Sequence, residues 1–190
     1  LDTLVIFTNK GNYLYIPVRN INEFKYKDIG VHVSNIVSTS EGEVIIKSIG
    51  ITKNNKFLLT AFTKNGMTKT IDIKDLEVSR YSKPITMFKL KNDDELVLVS
   101  ISDGNEVLLI TEKGMSLKYD LKEIPILGLK ASGVKAIKLG EKDKVINAYV
   151  LDNDKEFISI FTNRNTAKRV KIEDISKISR AKKGNKIISS

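Results

Sequence analysis

One short pattern recurs along the 190 residues: an apolar run ending in Thr-x-x-Gly, followed by alternating apolar and polar positions. It reads Leu4-Val5-Ile6-Phe7-Thr8-Asn9-Lys10-Gly11, with Tyr13, Tyr15 and Val18 beyond it. It returns as Leu59-Thr60-Ala61-Phe62-Thr63-Lys64-Asn65-Gly66 and as Val107-Leu108-Leu109-Ile110-Thr111-Glu112-Lys113-Gly114. The fourth copy, Ile158-Ser159-Ile160-Phe161-Thr162-Asn163-Arg164-Asn165, puts Asn where the others have Gly, and Asn is the next-best residue for a positive φ. The anchoring threonines Thr8, Thr63, Thr111 and Thr162 are 55, 48 and 51 residues apart. A looser apolar anchor keeps step with them at Val31 to Val37, Ile85 to Leu90, Val134 to Leu139 and Ile187 to Ile188. Self-similarity at this period defines a repeat architecture, and it decides the fold before any single element does.

Each copy reads as strands. The Thr-x-x-Gly segment has the form of a hairpin with a left-handed residue closing its turn, predicting turns at 8–11, 63–66, 111–114 and 162–165. Further strands are expected at Val33 to Val37 and Val44 to Ile49, at Ile85 to Leu90 and Leu96 to Ile101, and at Val134 to Leu139 and Val145 to Leu151. The mixed-charge stretches between them, such as Lys74-Asp75-Leu76-Glu77, are too short for a packed helix. Phe7, Phe62, Ile110 and Phe161 should hold equivalent sites. The expected architecture is all-β, a propeller-like array of about four four-stranded units over approximate repeats 1–51, 52–102, 103–151 and 152–190. The last repeat is short of a strand, so an open arc is expected rather than a closed ring. Leu1 begins inside a strand-like run without an initiating Met, as expected of a piece of a longer protein.

The formal net charge of +9 points to an acidic partner, nucleic acid first. The surplus is uneven: residues 152–190 carry 10 basic and 5 acidic groups, while residues 1–51 carry 5 of each. Between Arg164 and Lys186 only Glu173 and Asp174 oppose the run of cations. Phosphate binding needs cations spaced along a surface, because duplex DNA presents a charge about every 1.7 Å. The residues expected to meet DNA are Arg180, Lys182, Lys183 and Lys186, helped by Arg164, Lys168, Arg169 and Lys171, with weaker contact from Lys130 and Lys135 of the third copy.

Catalytic chemistry is nearly excluded by inventory. There is no Cys, and His32 is the single histidine, inside an apolar Val31-His32-Val33 run. No glycine-rich phosphate loop occurs. The runs Asp93-Asp94-Glu95 and Asp152-Asn153-Asp154 fall where the repeat predicts turns, and no tyrosine stands out as a nucleophile. No catalytic residue, cofactor or metal is expected. No apolar run is long enough to span a bilayer, so no membrane partner is expected.

The strings Leu1 to Tyr13, Ile29-Gly30-Val31-His32-Val33-Ser34-Asn35-Ile36-Val37, Thr111 to Leu117 and Gly133-Val134-Lys135-Ala136-Ile137-Lys138-Leu139 resemble, in order and across essentially the whole chain, the C-terminal domain of the ParC-type component of bacterial topoisomerase IV, its DNA-cleaving polypeptide. That family shares its fold with the C-terminal domain of the equivalent DNA gyrase polypeptide. The resemblance implies a β-pinwheel whose blades exchange strands, with duplex DNA bound and bent along a basic rim without sequence preference. It implies a type II topoisomerase as parent, with the DNA-cleaving portion N-terminal in the same polypeptide, a separate ATPase partner, and a bacterial cytoplasmic location. Gyrase carries an arginine- and glycine-rich box in its first blade. The corresponding stretch here is Lys25-Tyr26-Lys27-Asp28-Ile29-Gly30, which is basic but lacks the box and favours topoisomerase IV. The alternatives are a gyrase-type wrapping domain and a propeller-type module that binds an acidic protein.

Overall fold

The computed structural model describes residues 2–152 and 154–188. Leu1, Asn153, Ser189 and Ser190 lie outside the described residues, so the run Asp152-Asn153-Asp154 is described only at its ends. The first repeat forms β1 (Thr3–Thr8), β2 (Asn12–Pro17) and β3 (Ile45–Ile51). The second forms β4 (Leu58–Thr63), β5 (Met67–Asp72), β6 (Ile85–Thr86) and β7 (Leu96–Ile101). The third forms β8 (Glu106–Thr111), β9 (Met115–Asp120), β10 (Val134–Lys135) and β11 (Val145–Leu151), and the fourth β12 (Phe157–Phe161), β13 (Ala167–Lys171) and β14 (Asn185–Lys186). The longest helical segment among the described residues is a four-residue 3-10 turn, Ile73–Leu76.

All four hairpins turn where the motif places them. The amides of Gly11, Gly66, Gly114 and Asn165 donate to the carbonyls of Thr8, Thr63, Thr111 and Thr162 at 3.0–3.2 Å. Each closing residue is left-handed, with φ from 58° at Asn165 to 78° at Gly66. This is a type I turn closed by a left-handed bulge residue, the form that matches strand twist in a three-residue loop.

A blade is not a repeat. The sheets run β3-β1-β2-β6, then β7-β4-β5-β10, then β11-β8-β9-β14, with β12-β13 as a two-stranded fourth. The outermost strand of each complete blade therefore comes from the following repeat. β7 packs against both β3 and β11, so these strands lie toward the axis, and β6, β10 and β14 occupy the opposite edge, the rim.

Stacking explains why the hairpin strands read as almost continuous apolar runs instead of a clean alternation: both faces of each sheet are buried. Val5 and Phe7 of the first blade pack with Leu59 and Ala61 of the second. Phe62 packs with Val107 and Leu109, and Leu108 and Ile110 pack with Ile158 and Ile172. Phe7, Phe62, Ile110 and Phe161 do share one register position, opposite Tyr13, Thr68, Ser116 and Ala167. The first three are buried, whereas Phe161 is 80% exposed because it points away from the array on the last blade. No core cluster of described residues joins the fourth sheet to the first, and the arc is open.

Three expectations need correction. Val33 to Val37 is not a strand; Val33–Asn35 is a 3-10 turn capped by His32, whose Nδ1 accepts from the Ser34 amide. Its counterparts β6, β10 and β14 each join an earlier blade. With no earlier blade among the described residues, this segment folds back, and Val33, Ile36 and Val37 cover Ile6, Leu14 and Ile16 on the free face of the first sheet. The expected strands from Ile85 and from Val134 are only two residues long, because their following amides leave the ladder for a carbonyl at the neighbouring turn. The last anchor pairs through Asn185–Lys186, just before Ile187.

Candidate nucleic-acid interface

The rim is built by how the exchanged strands are received. The amides of Met87 and Phe88 donate to Gly11 O at 2.8 and 2.9 Å, those of Ala136 and Ile137 to Gly66 O at 2.7 and 3.4 Å, and that of Ile187 to Gly114 O at 2.8 Å. The glycine of each Thr-x-x-Gly turn is thus a socket for the next repeat. The turns are themselves held by carboxylates. Thr8 Oγ1 donates to Glu43 at 2.7 Å, the Asn65 amide to Asp94 at 2.8 Å, and Thr111 Oγ1 to Asp143 at 2.8 Å. Burial works against the Glu43 carboxylate. Hydrogen bonds from Thr8, the Ser40 amide and Asn12, with Lys10 nearby, overcome that cost and hold its pKa below the ordinary value. The acidic run Asp93-Asp94-Glu95 is accordingly a turn clamp, and no group of three or more potential metal ligands occurs among the described residues.

Successive exchanged segments also touch one another. The Lys89 amide donates to Ala131 O at 3.3 Å, the Ala181 amide to Ala136 O at 3.0 Å, and the Lys138 amide to Lys182 O at 2.9 Å. The rim is therefore one continuous ribbon, and its charge is segregated. Residues 78–92 contain Arg80, Lys83, Lys89 and Lys91 and no Asp or Glu; residues 124–140 contain Lys130, Lys135 and Lys138 and none; residues 175–188 contain Lys177, Arg180, Lys182, Lys183 and Lys186 and none. All of these except Arg180 are exposed.

The expected DNA-contacting residues divide on this geometry. Lys130, Lys135, Lys182, Lys183 and Lys186 lie on the ribbon. Arg180 is half-buried and holds the ribbon together: Nε donates to Glu123 O at 3.0 Å, Nη1 to Lys135 O, and its amide to the Glu123 carboxylate at 2.8 Å. Arg164 sits at the fourth hairpin tip. Lys168, Arg169 and Lys171 lie on β13 and are engaged locally, with Ile187 O at 3.2 Å, the Phe157 ring at 4.0 Å and Glu173 at 3.2 Å. Lys177 is neutralised by Asp120 at 2.9 Å and Glu106 at 3.1 Å, whose hydrogen bonds raise its pKa. Arg80, Lys83, Lys89, Lys91 and Lys138 were not among the expected residues. The signal available for them was their position in the repeat together with the lack of any carboxylate nearby.

Fold and rim together define a strand-exchanging β-pinwheel with a basic outer ribbon. The sequence matches the family described as DNA gyrase C-terminal domain, beta-propeller, at residues 2–49, 59–103, 105–152 and 156–189, and the chain belongs to that family. It is 37% identical over 185 residues to the A subunit of DNA topoisomerase 4 from Bacillus subtilis (strain 168), covering 96% of this chain and 23% of that protein. A crystal structure of the C-terminal domain of DNA topoisomerase IV superposes with a TM-score of 0.93 at 41% identity, covering 98% of this chain and 58% of the other. A DNA gyrase A C-terminal domain structure shares the fold at a TM-score of 0.76 and 19% identity, covering 97% and 59%. The chain thus spans about a quarter of the length of its curated relative.

Proposed function

We propose that this chain is a DNA-holding domain of a topoisomerase IV, carried on its DNA-cleaving polypeptide, that binds duplex DNA along the ribbon of exchanged segments and bends it around the arc. The carrying observation is that the three rim segments supply cations from every complete blade and contain no carboxylate. Such a surface offers repeated phosphate contacts and no built pocket for a base edge, so binding is indifferent to sequence. In the parent enzyme this orients the DNA segment to be transported and sets preference among DNA topologies. Cleavage falls to the N-terminal portion of the same polypeptide and ATP hydrolysis to its partner, in a bacterial cytoplasm. The absence of the arginine- and glycine-rich box and the 41% identity to a topoisomerase IV domain, against 19% to a gyrase domain, support topoisomerase IV over gyrase.

The test is the salt dependence of binding to random duplex DNA. Replacing Lys135, Lys182 and Lys183 with Ala removes three exposed cations and should flatten the slope of log K against log salt by about 2.7. The wild-type chain would then lose about 40-fold more affinity than the variant between 50 and 200 mM salt. Stability should change little, since exposed positions shift it by under about 0.5 kcal/mol. A folded variant with unchanged slope refutes the rim reading. A footprint confined to one sequence refutes the indifference to sequence. Wild-type binding without a salt slope leaves the acidic-protein module as the better reading.

A further inference from the structure

Lys69 is fully buried within β5, yet it is charged and completely satisfied. Its Nζ donates to Gly128 O at 2.8 Å, Leu129 O at 2.8 Å and Ala131 O at 3.1 Å, and it lies 5.1 Å from the centre of the Phe88 ring. An ammonium has three hydrogens, and three carbonyls receive them. All three belong to the next repeat, to the turn that leads into its exchanged strand. The chain reaches that turn along β5: the Thr70 amide donates to Pro125 O at 3.1 Å and the Leu127 amide to Thr70 O at 2.8 Å. The turn closes through the Ala131 amide on Gly128 O at 3.0 Å. Lys130 sits within it, exposed, between the carbonyls that Lys69 holds. Burial pushes the Lys69 pKa down to about 8, with Asp75 opposing, so at neutral pH the charged three-donor form prevails.

The repeat supplies an internal comparison. The corresponding residue of the third hairpin is Leu117, also buried, and the loop that arrives there is secured from its own side by Arg180 on Glu123 O and Lys135 O. Two successive rim loops are therefore tied down by different cations, one beneath the ribbon and one within it.

We propose that Lys69 is a positioning residue for DNA binding, an internal latch that fixes the Gly128–Ala131 turn and thereby presents Lys130 on the rim where the second and third blades meet. This rests on the DNA-binding reading above. The buried cation contacts no phosphate itself. It converts a flexible turn into a fixed phosphate contact by holding three of its carbonyls at once.

The test uses the whole 190-residue chain with Lys69→Leu, which installs the residue that the third hairpin carries at this position. Lys69→Met, which keeps the length of the stem, serves as a second variant should leucine prevent folding. Hydrogen exchange should accelerate about tenfold or more at the Leu127, Ala131 and Lys89 amides, the scale set by bonds to a charged donor. The DNA salt slope should fall by up to about 0.9, one phosphate contact. Lys130→Ala should give the same loss of slope with unchanged exchange, and the double variant should lose no more than either single one. Unchanged protection in Lys69→Leu overturns the latch. Faster exchange with a wild-type slope overturns the positioning role and leaves Lys69 a purely structural tie. Absence of salt-dependent binding by the wild-type chain would remove the DNA reading and Lys130's role with it, while the exchange data still decide the latch.

Discussion

The three socket glycines have nearly the same backbone conformation but unequal surroundings, and that difference predicts a graded response to one substitution. Gly11, Gly66 and Gly114 have φ of +77°, +78° and +74°. Alanine at each must adopt a left-handed conformation, which costs about 1–2 kcal/mol and is partly offset by stiffening of the unfolded chain, for a net of about 1 kcal/mol. The added methyl meets different neighbours. At Gly11 it falls well inside contact distance of the Phe88 carbonyl oxygen; at Gly66 it lies 3.0 Å from Ile137 Cγ2 and 3.2 Å from Ile137 O; at Gly114 it reaches Ile188 O only at 3.4 Å, ordinary contact. Relieving the clash at Gly11 moves the exchanged segment off the socket and sacrifices the Met87 and Phe88 bonds to Gly11 O, about 1 kcal/mol each. The expected losses are then about 3 kcal/mol for Gly11→Ala, about 2 for Gly66→Ala and about 1 for Gly114→Ala. Stability in an array is local to neighbouring blades, so the assay is residue-resolved hydrogen exchange. Met87 and Phe88 amides in Gly11→Ala should exchange roughly 150-fold faster, against about fivefold for the Ile187 amide in Gly114→Ala. Equal effects at the three positions would show that conformation alone demands glycine, and the socket reading would fall.

Other outcomes follow from the same contacts. Arg180→Ala should destabilise the rim loop by about 2 kcal/mol, seen as faster exchange at Ala181 and Lys138, whereas Lys183→Ala should weaken DNA binding without that change. Glu43 has a pKa below its ordinary 4.5, so its stabilising contribution is complete above that value and is lost as pH falls through the folded-state pKa. Glu43→Gln should therefore flatten the acid limb of first-blade stability, measured by urea unfolding from about pH 6 to about 3, and an unaltered limb would discount the clamp. Phe7→Ala should cost about 3–5 kcal/mol, while Phe161→Ala, at the same register position but 80% exposed, should cost under about 0.5, a contrast that comparable urea midpoints would contradict.

The sequence was most legible where structure is local. Thr-x-x-Gly placed all four hairpin turns, and Leu96–Ile101 and Val145–Leu151 form strands with the expected bounds. What the repeat could not convey was which blade each strand joins. Val134–Lys135 pairs with Met67–Thr68, far back in the chain, and nothing local in either segment records that partnership. The same non-local choice explains the fate of Val33–Asn35: its sequence matches its counterparts, but with no receiving edge it covers Ile6, Leu14 and Ile16 instead. Charge was legible in amount and not in location. Counting by copy weighted residues 152–190, yet Lys177 is neutralised by two carboxylates and Arg169 lies over Phe157. Aligning positions is more informative than counting them. The residue three beyond each turn-closing position is Leu14, Lys69, Leu117 and Lys168, and where the following repeat covers it, a lysine there is buried as fully as a leucine. A cation in this array thus has two possible fates, set by whether its strand is overlaid by the next repeat. Only the segments that do the overlaying combine exposure, basic charge and freedom from carboxylates, which is why the rim, and not the copy with the largest surplus, is the surface on which phosphate contacts can accumulate.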